Sequence, residues 1–253
     1  MLLPAAETGD SPRFAQIWEN GDCPRFLSSS DKMFIGHFAV AFAAKRVAPR
    51  ASLGTLMLAT SLVDLVWPIL LILGLEHVRI EPGNTAFTPL RFTDYPITHS
   101  IPGALFWAAF LAGAWYWRHR LPRPALVIGA AVLSHWVLDA VSHGPDVPVL
   151  PGGPYVGLGL WNSVAATLIV EGLIFAAAVA WYARTTRARD RVGTWSLAGL
   201  VVFLTVVYLL NVFAPPPPNE RLLAYGALVA WLLVPWPYWI DRHREVADSS
   251  SSR

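Results

Sequence analysis

The feature that most constrains the fold is a series of six apolar stretches, each about as long as the roughly 20 residues that an α-helix needs to cross a bilayer. They cover residues 52–75, 97–117, 124–143, 160–183, 194–213 and 221–240. A seventh stretch, 33–47, is shorter and is expected either to cross with help from its flanks or to enter only partway. Only 14% of the 253 residues are charged, well below the ~25% of soluble domains. The sequence therefore predicts an all-α fold, a polytopic membrane helix bundle of six to seven transmembrane helices.

The two ends of the chain differ in composition from this apolar region. Residues 1–32 contain no apolar run and are predicted to be a disordered N-terminal extension, with Met33 as a hypothetical natural start. The basic region and the continuous apolar region of a signal peptide are both missing there. Residues 33–245 are predicted to form a single transmembrane helical domain, and 246–253 a disordered tail.

Lys and Arg are divided unequally between alternate loops and their flanks. One set carries twelve of them: Lys45, Arg46, Arg50, Arg118, Arg120, Arg123, Arg184, Arg187, Arg189, Arg191, Arg242 and Arg244. The other set carries Arg79, Arg91 and Arg221. Since cytoplasmic loops carry an excess of basic residues, the first set is expected to face the cytoplasm of a multi-pass protein of the inner (plasma) membrane. On the opposite side, loops 76–96 and 144–159 are rich in Pro and Gly and are expected to form turns and irregular backbone over a site.

One polar motif lies inside the apolar text, at residues 134–143, SHWVLDAVSH. It places His135, Asp139 and His143 at successive i, i+4 steps, each of about 40° and about 6 Å along a helix, so the three share one slowly turning stripe. Neutral imidazole and carboxylate are ligands that divalent metals accept. Ionisable groups in a span are costly and therefore suspected of a function. The motif predicts a metal site built into the bundle.

Three more polar residues are predicted at the same depth. His37 lies near the outer end of the first helix, Asp64 in the middle to outer half of the second, and His99 at the start of the next span. An unpaired carboxylate at the depth of Asp64 costs on the order of 3 kcal/mol, so it needs a partner. Together with the motif at 134–143, these residues are predicted to converge from four helices in the non-cytoplasmic half of the bundle.

Each of these residues also has a structural interpretation. A lone histidine near a helix end, such as His37 or His99, is usually an interfacial or capping residue. The pair of His135 and Asp139 could be a hydrogen bond between adjacent turns. Glu171, a buried acid in a later span, could bond a neighbouring helix or support the site from outside.

Composition excludes several classes of protein. The single cysteine, Cys23, excludes an internal disulfide framework and a Cys-based zinc knuckle. A net charge of +2 is too small to indicate nucleic acid binding, and no feature indicates a protein partner. Two functions compete with an enzyme: an ion- or proton-coupled transporter using buried Asp, Glu and His, and a haem-binding membrane protein, because paired histidines on spans also bind haem.

The polar elements resemble those of the YdjM-like bacterial inner-membrane proteins, a family classed as membrane-bound metal-dependent hydrolases. The resemblance covers residues 36–143 and rests on GHF near the start, an Asp late in the next helix, THS and HWVLD. The sequence departs from the family where an acidic doublet is replaced by SLVDLVW and an arginine-rich turn by DYPI. Helices that present His and Asp in this way are also distantly similar to the all-α zinc-dependent phospholipase C fold.

The resemblance implies a metal ligand set of His37, Asp64, His99, His135 and Asp139. We therefore expect a hydrolase in which one or two divalent ions activate a water, with Asp64 or Asp139 as general base. Zinc is the expected metal, with manganese or iron as alternatives. A site at this depth suits a membrane lipid or a lipid-linked phosphoester. His143 would be an outer ligand, and Arg79 or Arg91 would meet phosphate oxygens or be surface residues.

Overall fold

A computed structural model of the protein describes residues 35–213 and 215–247, so the predicted extension 1–32 lies outside the described residues. The helices are α1 (Ile35–Val47), α2 (Leu53–Ile72), α3 (Pro96–His99), α4 (Ile101–His119), α5 (Pro122–Ser142), α6 (Val164–Thr185), α7 (Arg191–Phe213), α8 (Glu220–Ala227) and α9 (Pro235–Arg242), with 3₁₀ turns at Leu160–Asn162 and Leu228–Leu233. Three antiparallel strand pairs join β1 (His77–Ile80) to β2 (Leu90–Asp94), β3 (Val147–Pro148) to β4 (Tyr155–Val156), and β5 (Thr186–Ala188) to β6 (Arg244–Val246).

The fold is the predicted all-α membrane helix bundle, but it contains fewer spans than predicted. Within the described residues, five helical segments are long and apolar enough to cross a membrane: α2, α5, α6, α7 and the broken segment Glu220–Arg242. The described part of α1 starts at Ile35, where the described residues begin, and its 13 residues measure about 20 Å. Helix α4 is long enough, but three tryptophans, a tyrosine and two glycines dilute its aliphatic side chains. The predicted span at 97–117 is also interrupted, because Ser100 adopts an extended conformation between α3 and α4.

Helix α1 forms the centre of the bundle and packs against α2, α5 and α6. Its small side chains Ala39, Ala41 and Ala44 are buried, and small residues allow neighbouring helices to approach closely. Helix α4, in contrast, buries few of its side chains and leaves Phe106 and Phe110 exposed. Its apolar outer face is therefore suited to lipid.

One end of the bundle, which we call the basic end, is closed by polar contacts. The buried Lys45 Nζ donates to the carbonyl oxygen of Ala51 at 2.8 Å and lies 3.1 Å from Asp241 Oδ1. Asp241 also accepts from the backbone amide of Leu53 at the start of α2. These contacts join α1, α2 and α9. At the same end, β6 includes Val246, so the predicted tail boundary at 246 falls inside a strand.

At the opposite end, the two Pro/Gly-rich loops contain hairpins in addition to turns. Strands β1 and β2 place Arg79 opposite Arg91, and β3 and β4 place Val147 opposite Val156. Gly157 allows a close approach, because a Cβ there would overlap the backbone of Gly144. The loops thereby hold a compact cover over the ends of α2, α3 and α5.

Candidate metal centre

Six polar side chains meet beneath this cover, and we call them the donor cluster: His37, Asp64, His99, His135, Asp139 and His143. They come from α1, α2, the end of α3, α5 and the residue that follows α5. Five of these side chains are between 2% and 5% exposed, whereas the side chain of Asp64 is 45% exposed. The structure therefore brings the predicted residues together, with Asp64 at the open edge.

Four donor atoms of the cluster form a ring in which oxygen and nitrogen alternate. Asp64 Oδ1 lies 3.3 Å from His99 Nε2 and 3.4 Å from His135 Nε2. On the other side, Asp139 Oδ2 lies 3.7 Å from His99 Nε2 and 3.3 Å from His135 Nε2. Three helical elements, α2, α3 and α5, therefore face one another through two carboxylates and two imidazoles.

The second oxygen of Asp139 extends the cluster beyond this ring. Asp139 Oδ1 lies 3.4 Å from His37 Nε2 and 3.8 Å from His143 Nε2. The ring of His37 stacks on that of His135 at a centroid distance of 3.8 Å. One carboxylate thus touches four imidazoles, and Asp139 is the central residue of the arrangement.

Hydrogen bonds at the far side of three rings determine which ring nitrogen faces the cluster. His135 Nδ1 lies 2.8 Å from the carbonyl oxygen of Thr60, which can only accept. His143 Nδ1 donates to Asp146 Oδ1 at 3.1 Å. His99 Nδ1 donates to the hydroxyl of Thr98 at 2.6 Å, because that hydroxyl donates in turn to Glu76. A neutral imidazole that donates through Nδ1 is an acceptor at Nε2.

These tautomers have an electrostatic consequence. Imidazole nitrogens that accept and carboxylate oxygens that accept face one another at 3.3–3.8 Å, in a part of the protein that excludes water. Asp139 Oδ2 is buried and has no hydrogen-bond donor among the described residues. Acceptors repel one another in such a setting unless a positive charge lies between them. A divalent cation would neutralise the two carboxylates and satisfy the nitrogen lone pairs.

The spacing of the donors also fits a cation. Donors about 2.1 Å from one ion are about 3.0 Å apart in octahedral and about 3.4 Å apart in tetrahedral geometry. The ring distances of 3.3–3.7 Å are close to the tetrahedral value. Two groups of three residues, His37 with His135 and Asp139, and Asp64 with His99 and His135, each have ligand atoms within 4.8 Å of one another. The buried His/Asp cluster can therefore hold a metal ion.

Sequence reasoning missed the residues that orient the rings: Thr60, Glu76, Thr98 and Asp146. Glu76 accepts from both the amide and the hydroxyl of Thr98, at 2.8 and 2.7 Å. It is only 1% exposed, and this burial raises the pKa of its carboxyl above the usual value. Asp146 follows His143 by three residues, and Thr98 precedes His99 in the THS motif. Their adjacency in sequence was the available signal, whereas Thr60 contributes a backbone atom and left none.

The remaining predicted site residues lie outside the donor cluster. Arg79 and Arg91 line a surface crevice that reaches the cluster through Asp146, which bonds His143. Arg91 also pairs with Glu81 at 3.1 Å. Glu171 is fully buried on α6, where Tyr208, the indole of Trp161 and the amides at the start of α1 surround its carboxylate.

Comparisons with known proteins found no matching family model, no similar curated protein and no similar solved structure.

Proposed function

We propose that the protein is an integral-membrane, metal-dependent hydrolase whose reaction takes place at the donor cluster. The observation that carries the proposal is that three oriented histidines direct their Nε2 lone pairs at two carboxylates. One of these carboxylates, that of Asp139, is buried, and its Oδ2 has no donor among the described residues. Ligands supported in this way from a second layer are typical of protein metal sites. The similarity to the YdjM-like proteins in GHF, THS and HWVLD agrees with this assignment.

The donor set favours zinc among the divalent metals. Imidazole nitrogen suits zinc, iron and manganese, but near-tetrahedral spacing with two or three histidines is the arrangement that zinc accepts most readily. We propose His37, Asp64, His99, His135 and Asp139 as ligands, with His143 at the edge of the set. Manganese or iron would require additional oxygen ligands. Zinc is therefore the first metal to test.

The two carboxylates are proposed to have different roles because their environments differ. Asp139 is surrounded by four imidazoles, so it holds the histidines in position and would balance part of the charge of a bound cation. The half-exposed Asp64 can reach both the cluster and an incoming molecule, and we assign it the role of general base that accepts a proton from the attacking water. A divalent ion bound by these residues would supply Lewis acidity and lower the pKa of a water to about 7.

The substrate is proposed to be a lipid or a lipid-linked phosphoester. The cluster lies within a bundle of membrane-spanning helices and next to a polar crevice that contains Arg79 and Arg91. Arginine binds phosphate oxygens through paired N–H donors. A molecule whose phosphate group lies in the crevice and whose apolar part lies among the membrane-spanning helices would match both surroundings.

The decisive experiment measures metal and hydrolysis on the same preparations. Detergent-purified wild-type protein is expected to contain close to stoichiometric zinc and to hydrolyse hexadecyl p-nitrophenyl phosphate to p-nitrophenol and hexadecyl phosphate. Asp139→Asn should lose the metal and the activity, whereas Asp64→Asn should retain part of the metal and lose activity. Wild-type protein that contains no divalent metal, or activity that survives Asp139→Asn, would contradict the proposal.

The second candidate is ion- or proton-coupled transport, and Glu171 is the observation that favours it. This fully buried carboxylate lies between α6, α7 and the start of α1, and intramembrane acids often relay ions. Reconstituted vesicles separate the two functions. Transport requires an ion flux that Glu171→Gln abolishes, whereas hydrolysis at the cluster tolerates that change.

A further inference from the structure

An apolar cleft adjoins the open edge of the donor cluster, and we call it the chain pocket. Its polar residues are His37 and Asp64 of the cluster together with Ser61, one turn before Asp64 on α2. The rest of its wall consists of aliphatic and other apolar side chains from α1, α2, α7 and the broken segment Leu228–Leu233 with α9. The space between these walls is narrow and partly open to the surroundings, and it amounts to about 580 Å³ with that open part included.

The chain pocket lies at the middle of a membrane span. On α2 its wall extends from Met57 to Leu65, a distance of about 12 Å along the axis, and α2 as a whole covers Leu53–Ile72. At this depth the solvent around the bundle is hydrocarbon. A polar or water-soluble occupant would have to give up its hydration to reach the pocket.

The broken helix opposite α2 contributes the other wall. Residues Leu228–Leu233 form 3₁₀ turns instead of continuing α8, and the indole of Trp231 donates to the carbonyl oxygen of Leu65 at 2.9 Å. Irregular backbone inside a membrane is tolerated where it is buried in protein or lines a cavity. The break thus allows a cavity to exist between two spans that would otherwise pack closely.

Polarity changes abruptly along the pocket, and this change orients an occupant. Asp64 is the exposed member of the donor cluster, and the hydroxyl of Ser61 has no hydrogen-bond partner among the described residues. Beyond them the wall is formed by residues such as Leu58, Leu204 and Leu233. An amphiphile would place its polar group at Asp64 and Ser61 and its apolar part along the leucines.

We propose that the chain pocket binds a single hydrocarbon chain of a lipid, with the chain's polar attachment point at Ser61 and Asp64. This inference rests on the proposed function only for the step that follows binding, since the bond next to that attachment point would be the one hydrolysed. Binding itself requires neither metal nor catalysis. The two ideas can therefore be tested separately.

The test uses photolabelling by phosphatidic acid that carries a diazirine near the middle of one hexadecanoyl chain. The probe is added to the purified full-length protein in detergent micelles, and labelled peptides are mapped by mass spectrometry after irradiation. We expect labelling concentrated on residues 57–65 of α2 and around Leu200 and Leu204 of α7. Labelling should persist in Asp139→Asn protein, because the chain pocket does not depend on the metal.

Two neighbouring variants provide the matched comparison. Ala230 lines the pocket, whereas Val229 is 56% exposed on the outside of the same 3₁₀ segment. Ala230→Phe should reduce pocket labelling about tenfold by filling the space, and Val229→Phe should leave it unchanged. Leu58→Trp narrows the pocket from the opposite wall and should reduce pocket labelling by a similar factor. It serves as the test variant if a thermal melt shows that the Ala230→Phe protein is unstable.

Several outcomes would overturn the inference. These are labelling no stronger in the pocket than on outward residues such as Leu173 and Leu209, or equal labelling of the Ala230→Phe and Val229→Phe proteins. Pocket labelling together with a wild-type protein that lacks metal and hydrolyses no phosphoester would support the pocket and refute the proposed function. Hydrolysis without pocket labelling would support the proposed function and refute the binding of a hydrocarbon chain in the chain pocket.

Discussion

Asp139→Asn is expected to uncouple the stability of the protein from divalent metal. The substitution keeps the size of the side chain but removes the charge that faces four imidazoles, at 3.3–3.8 Å from their Nε2 atoms. It also places an amide donor where a metal ligand is proposed. The variant should therefore fold, but it should bind metal much more weakly than the wild type.

The expected size of the effect follows from the linkage between binding and folding. Free metal at 100 times its Kd stabilises the native state by about 2.7 kcal/mol. In a chain of this size about 1 kcal/mol corresponds to roughly 2–4 °C in Tm, so chelation should lower the Tm of the wild type by roughly 5–11 °C. Loss of even a supporting residue weakens metal binding by about 10–100-fold. A 100-fold weaker variant would retain only about 0.4 kcal/mol of metal stabilisation, or roughly 1–2 °C.

The assay is a thermal melt followed by tryptophan fluorescence, with zinc and then with EDTA, in one detergent and at one pH. Asp94→Asn is the control, since Asp94 is an exposed carboxylate on β2 at the same end of the bundle. Within the described part of the chain it pairs with His77 alone, at 4.0 Å. The control should show the full wild-type response to EDTA. An Asp139→Asn protein whose Tm falls with EDTA as much as that of the wild type would refute the reasoning.

Two further predictions concern residues that support the fold and the site. Glu76→Gln replaces an acceptor of the Thr98 hydroxyl and should weaken zinc binding by about 10–100-fold, as measured by competition with a chelating dye, while Glu81→Gln on the exposed hairpin should not. Lys45→Met leaves Asp241 mostly buried without its cation and should destabilise the protein by about 3–5 kcal/mol in denaturant melts. The double replacement of Lys45 and Asp241 by apolar residues should recover most of that loss, and additive losses would contradict the pairing.

Helical periodicity made most of the donor cluster predictable. His135 and Asp139 had to share a stripe once residues 122–142 formed a helix, whereas His143 follows that helix in an extended conformation. The alternating topology placed His37, Asp64 and His99 at the same depth. The number of spans was less predictable. Apolar length pointed to the shorter first stretch, but it does not reveal that the tryptophans and glycines of α4 reduce its apolar character.

The hairpins and the residues that orient the rings could not be predicted, for two physical reasons. The Pro and Gly content of 76–96 indicates turns, but the pairing of HVRI with LRFTD depends on the distance between two helix ends, which composition does not encode. Thr60 binds His135 through a carbonyl group that every residue possesses. The different environments of Asp64 and Asp139 required the positions of all neighbouring helices.

The central position of α1 has a consequence for the order in which the protein assembles. A helix that is surrounded by α2, α5 and α6, with most of its described side chains buried, depends on helix packing to stay in place. The surrounding helices can insert first, each on its own hydrophobicity, and α1 then docks between them and delivers His37. The donor cluster would accordingly be complete only at the last stage of biogenesis, once all of its helices are in place.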